Sequence, residues 1–107
     1  MEAILVIITV GSEAEAERVS SAILDARLAA CVNRVSGVHS AYWWRGTRER
    51  AEELLLLAKT RRGLWPRLLE TVRAHHSYEV FEATALPIIE GNPDYLRWIE
   101  ETTEDPA

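Results

Sequence analysis

An α+β fold, with two helices on one face of a four-stranded antiparallel sheet, is predicted by three observations. The 107 residues alternate strand-like and helix-period segments in the order β-α-β-β-α-β, with a short helix after them. The first and third strand-like segments are apolar on both faces, which marks them as central in their sheet. The second and third are joined through a polar tip and form one hairpin whose arms, at roughly 15 residues and about 3.3 Å each, exceed what a domain this size needs.

The first strand is Ala3 to Val10, "AILVIITV", rich in β-branched residues and ended by Gly11-Ser12. Ser12 is placed as an N-cap. Glu13, Glu15 and Glu17 follow where the positive end of a helix favours them, and the Ser12/Glu15 spacing fits a capping box. The helix then turns Val19, Ile23 and Ala26 inward, with Leu24 and Leu28 beside them. In "AACVNRVSGVHSAYWWRG", Val38, Ser40, Tyr42 and Trp44 share one strand face and His39, Ala41, Trp43 and Arg45 the other. Ser36-Gly37 interrupts that run as a bulge would. "GTRER" reads as the hairpin tip and "ELLLLAKT" as the returning strand.

A second helix is predicted from about Gly63 to His75, with Leu64, Leu68 and Val72 on its inner face and Pro66 near its start. "EATALPII" is the last strand. Gly91 turns the chain, Asn92 caps a closing helix, and Pro93 opens it. Right-handed crossovers place the first and third strands in the middle of the sheet and the second and fourth at its edges, a ferredoxin-like arrangement.

The composition fits a single domain over residues 1–107, with 48% apolar residues and one core. Net charge is −5, but Glu100, Glu101, Glu104 and Asp105 lie in an acidic tail at about 100–107, leaving roughly −1 elsewhere. No basic face is present to favour nucleic acid. The first strand is too short to span a membrane and lacks the basic start of a signal peptide. The one cysteine, Cys31, forms no internal disulfide, so the expected setting is the reducing cytoplasm. Trp43 and Trp44 lie near a tip that an isolated domain leaves bare, which predicts a homo-oligomer whose arms cover one another. Symmetry frequencies alone favour a dimer.

Residues 75–100, "HHSYEVFEATALPIIEGNPDYLRWIE", concentrate the candidate chemistry. His75 and His76 are adjacent, so on a continuing helix they point about 100° apart; both reach one ion only if the helix ends between them. The plainer reading has them cap the helix and bond backbone carbonyls. Cys31, among small and apolar residues, reads as structural. Glu52, Glu53, Lys59, Arg61 and Arg62 suit either ion pairing at a strand end or a polar ligand. The chain has no G-x-x-x-x-G-K, G-x-S-x-G, H-E-x-x-H or C-x-x-C motif, and nothing in it supports an enzyme.

Five segments, "RLAACVN", "SAYWWRG", "ELLLLAKT", "EVFEATALPI" and "GNPDYLRWI", resemble the CutA divalent-cation tolerance family in order and spacing from about Leu5 to Ile99. The resemblance implies a compact, non-enzymatic homotrimer of ferredoxin-like subunits with inter-subunit sheet from the hairpin arms, in place of the dimer. It implies a part in tolerance of or response to divalent metal ions, chiefly copper. No cofactor is required, and weak Cu(II) or Zn(II) binding falls on His75 or His76 with Glu82. The cysteine of that proposed copper set is absent, since Ile8 or a neighbour stands there. The family's "HPYEVPE" is here "HSYEVFE", with Ser77 and Phe81 in place of prolines, which frees two backbone N–H groups. An alternative likeness, to the trimeric PII signalling proteins, implies a small-molecule sensor or interaction module with an inter-subunit cleft at Tyr42, Trp44, Lys59 and Trp98, together with Glu82.

Overall fold

The computed structural model describes residues 1–105. The strands are β1 (Ala3–Val10), β2 (Cys31–Trp44), β3 (Thr47–Arg61) and β4 (Ala83–Pro87), and the helices are α1 (Glu13–Asp25), α2 (Trp65–His75) and α3 (Pro93–Thr102). The four strands form one sheet in the order β2-β3-β1-β4, every adjacent pair antiparallel. The order is the one that right-handed crossovers predict.

The core follows from strand alternation. Val6, Ile8 and Val10 of β1 stand beside Leu54, Leu56 and Ala58 of β3 on one face. They pack with Val19 and Ile23 of α1 and Leu68 and Val72 of α2, and all of these are buried. Ser12 caps α1 as expected, accepting the Glu15 N–H at 3.1 Å. Leu24 departs from its predicted place and is exposed, and Ala26 falls at the C-cap. A 3-10 turn at 62–64 precedes α2, so that Pro66 lies in the first turn, where its missing N–H is harmless.

The opposite face of the sheet differs from expectation. Leu5, Ile7, Leu55 and Leu57 carry the second apolar face of the two central strands, and in the single chain they are only half-buried. Register places Val35, Val38, Tyr42 and Trp44 on that same face, since the shift between Val35 and Val38 keeps the later residues in phase with Glu53, Ala51, Glu49 and Thr47. Helix α3 packs on β3, and its Tyr95 reaches Cys31, which also lies on this face. Among the described residues, the rest of the face has no helix over it.

The hairpin turn is tighter than "GTRER". Arg45 and Gly46 alone form it, with φ of 49° and 81°, and Thr47 to Arg50 belong to β3. Two successive positive φ values are what a type I′ turn needs to match strand twist, and Gly46 takes its value without strain. The arms extend the molecule to 44 Å along its longest axis.

The acidic tail is also corrected. Residues 100–102 complete α3, Thr103 is buried, and the Glu104 N–H donates to the Arg27 carbonyl at 2.7 Å. Arg27 donates to the Thr102 carbonyl, and Arg61 to those of Thr103 and Glu104. Two guanidinium groups thus take up carbonyls at the negative end of α3. The Glu100, Glu101 and Glu104 side chains are solvent-exposed as predicted, and the last two residues of that tail lie outside the described ones.

Candidate functional site

Where β1 ends, six polar side chains from four parts of the chain meet: Thr9 of β1, Glu15 of α1, Glu53 of β3, and His76, Tyr78 and Glu82 between α2 and β4. His76 is the C-cap of α2, with extended backbone that turns the chain away. Its side chain is 0% exposed. Its Nε2 lies 2.7 Å from the Thr9 carbonyl, and its Nδ1 faces the Tyr78 N–H at 3.1 Å. A carbonyl only accepts, so Nε2 carries the hydrogen; an N–H only donates, so Nδ1 is the acceptor. The network therefore assigns His76 as the neutral Nε2–H tautomer. Tyr78 and Phe81 flank the ring at centroid distances of 4.8 and 5.0 Å, Phe81 nearly parallel at 16°.

Glu15, 3% exposed, is the anion of the cluster. It accepts from the backbone N–H of Ser77 at 2.8 Å, that of Gly11 at 3.3 Å, and Arg18 at 3.3 Å, and stands 3.8 Å from His76 Nδ1. Burial alone pushes its carboxyl up, but the Ser77 and Gly11 hydrogen bonds outweigh burial and hold it below its ordinary value. The capping box is thus half made: Ser12 caps Glu15, while the Glu15 carboxylate turns to Gly11 and Ser77. Ser77 matters here because a proline at that position would have no N–H to give.

Tyr78 completes the cluster by donating to Glu53 on β3 at 2.8 Å. Burial first, then the Glu53 carboxylate, pushes its phenol up to about 12. A Cβ on Gly11 would stand 2.7 Å from the Tyr78 hydroxyl, so residue 11 has no room for a side chain while that bond is made. Glu82 accepts from the Thr9 hydroxyl at 2.9 Å and from Thr84 at 3.4 Å. Thr9 therefore links both predicted residues, His76 through its carbonyl and Glu82 through its hydroxyl.

The helix does end between the two histidines, and their rings diverge. His75 turns back, its Nδ1–H donating to the Thr71 carbonyl at 2.8 Å. Among the described residues, no group of three or more His, Cys, Asp or Glu side chains is placed to hold a metal ion. The other predicted set is split in two. Lys59 pairs in register with Cys31 at the base of the hairpin and bonds Asn33. Trp98 packs on Tyr95 with ring centroids 5.4 Å apart and tilted by 35°, and burial, then the neighbouring Cys31, raises the Tyr95 phenol. Tyr42 and Trp44 lie more than ten residues farther along β2, roughly 35 Å away at 3.3 Å per residue. One chain does not bring these four residues into one cleft.

Glu15, Tyr78 and Glu53 were not singled out as a group from the sequence. A signal for Glu15 existed: Glu15, Val19 and Ile23 are spaced by four, which puts a carboxylate on the buried stripe of α1.

Residues 4–102 match the family model described as CutA1 divalent ion tolerance protein. The divalent-cation tolerance protein CutA of Thermus thermophilus is 50% identical over 99 residues, which cover 92% of this chain and 96% of that protein. A chloroplastic CutA protein of rice is 43% identical over 102 residues, or 95% of this chain and 58% of the relative, so the chain spans little over half of that protein's length. The crystal structure of CutA1 from Oryza sativa superposes with a TM-score of 0.95 at 42% identity, covering 98% of this chain and 96% of the other. Shared fold, length of match and identity agree: this chain belongs to the CutA1 divalent ion tolerance family.

Proposed function

We propose that this chain serves divalent-cation tolerance as a homotrimer with no catalytic chemistry of its own. The observation that carries the proposal is the uncovered sheet face. Leu5, Ile7, Leu55 and Leu57 form an apolar patch continued by Val35, Val38, Tyr42 and Trp44, and both sheet edges, β2 and β4, are unpaired among the described residues. An apolar face with two open edges is unstable against association, and copies related by cyclic symmetry cover the face and pair the edges together. The family likeness selects three copies.

Direct contact with Cu(II) or Zn(II) is assigned to His75, whose Nε2 keeps a lone pair once Nδ1–H is given to Thr71. A single imidazole makes a weak, open site. The cytoplasm suits the lone free thiol, Cys31; recovery of the protein only from another compartment in cell fractionation would count against it. The functional test is complementation. In a strain lacking its own copy and challenged with Cu(II), the wild-type chain should restore growth and a Leu57→Asp chain, which fails to assemble, should not. Full rescue by a folded, unassembled chain would refute the reading.

A second reading, a PII-like small-molecule cleft, is favoured by the Tyr95–Trp98 pair beside Cys31 and Lys59 on the uncovered face. Thermal shifts with nucleotides or organic acids, and none with Cu(II) or Zn(II), would select it; the reverse pattern would discard it.

A further inference from the structure

The family's cation chemistry and the groups around His76 do not fit each other. A divalent cation binds imidazole through a ring-nitrogen lone pair. His76 has one lone pair, on Nδ1, and the Tyr78 N–H already points at it from 3.1 Å. Its other nitrogen carries the hydrogen given to Thr9 at 2.7 Å. The ring is fully buried between Tyr78 and Phe81, so a cation has no approach while both rings stay in place. Of the nearby carboxylates, Glu15 is buried and accepts from Gly11, Ser77 and Arg18, while Glu82 is exposed and accepts from Thr9 and Thr84.

We infer that His76 is the latch that closes the connection between α2 and β4, and is not a ligand for divalent cations in this chain. Its two nitrogens tie the end of β1 to the start of residues 77–82, and each bond joins it to main chain, which offers one fixed partner. The two residues that depart from the family pattern complete the latch. Ser77 supplies the N–H that Glu15 holds at 2.8 Å, and Phe81 supplies the ring that covers the imidazole, with the Arg73 guanidinium over the Phe81 ring, 5.5 Å from its centroid. Cation binding at His76 would break one of the two hydrogen bonds of its ring, to the Thr9 carbonyl or from the Tyr78 N–H. Every group in the latch belongs to one chain, so the inference holds independently of the three-copy reading and of where else a cation binds.

The test is nitrogen-15 NMR of the wild-type protein labelled at histidine, titrated with a several-fold excess of Zn(II). His76 should show one protonated Nε2 and one unprotonated Nδ1, unchanged by Zn(II), whether or not His75 or His39 shifts. Movement of the His76 ring nitrogens on addition of Zn(II), or a dominant Nδ1–H tautomer before it, overturns the inference. Isothermal titration with Zn(II) gives a second reading: His76→Gln should keep the wild-type affinity while lowering the melting temperature, and a tenfold or greater loss of affinity in a folded His76→Gln protein contradicts the latch.

Discussion

The Tyr78 hydroxyl reaches the Glu53 carboxylate at 2.8 Å, joining the connection that follows α2 to the central strand β3. The bond crosses the end of β1 at Gly11, where an added Cβ would meet the hydroxyl at 2.7 Å. Two substitutions therefore attack one interaction. Tyr78→Phe leaves a nearly buried carboxylate without its donor and should cost about 1–3 kcal/mol. Gly11→Ala should cost a similar amount by displacing the ring. Because both act through one contact, the double variant should lose less than the two losses added together, a coupling that denaturant melts of all four proteins will measure. Strict additivity would show that Gly11 and Tyr78 are not linked.

The same phenol sets an alkaline limit. Its folded value is raised to about 12 from an ordinary 10, so the folded state holds the proton that the unfolded chain releases. This stability is complete below pH 10 and declines as pH rises toward 12. Urea midpoints followed across that range should fall in the wild type and fall less in Tyr78→Phe.

Glu15 sets the opposite limit. Its folded value lies below its ordinary 4.5, so its contribution is present above that pH and is lost as pH drops through the folded value. Glu15→Gln should flatten the acid side of the stability profile. Ser77→Pro removes one N–H donor from the carboxylate and brings its folded value closer to the ordinary one, so its acid loss should be smaller and complete at higher pH. An unchanged acid profile in Ser77→Pro would mean that the Ser77 N–H does not hold Glu15.

Much of the fold was legible because local signals agreed with the global arrangement. β1 showed its central place through apolar residues on both faces, and Ser12 and Asn92 announced the helices they cap. The hairpin tip was misjudged because Thr47 to Arg50 are polar yet extended; only the positive φ of Arg45 and Gly46 locates the turn. The end of α3 was read as a solvated tail from its charge, whereas Arg27 and Arg61, distant in sequence, hold its backbone. The junction was half legible. His76 and Glu82 stood out by residue type, but their common partner Thr9 is more than seventy residues before Glu82, and one of its two contacts is a main-chain carbonyl that no motif reveals.

Arg61 offers a check on that correction. Its guanidinium bonds the Thr103 and Glu104 carbonyls at 3.3 and 2.5 Å. Arg61→Ala should lower stability by roughly 1–2 kcal/mol and speed amide hydrogen exchange in the last turn of α3 while sparing the first. Unchanged exchange there would show that the helix end holds itself.

On the proposed reading, the apolar sheet face and the long hairpin are covered by further copies of the chain. Sedimentation equilibrium of the purified protein, diluted into the low-micromolar range, measures this directly. The predicted result is a single species of three times the 12.1 kDa chain mass. A stable, fully folded species of one chain mass across the same dilutions would contradict it.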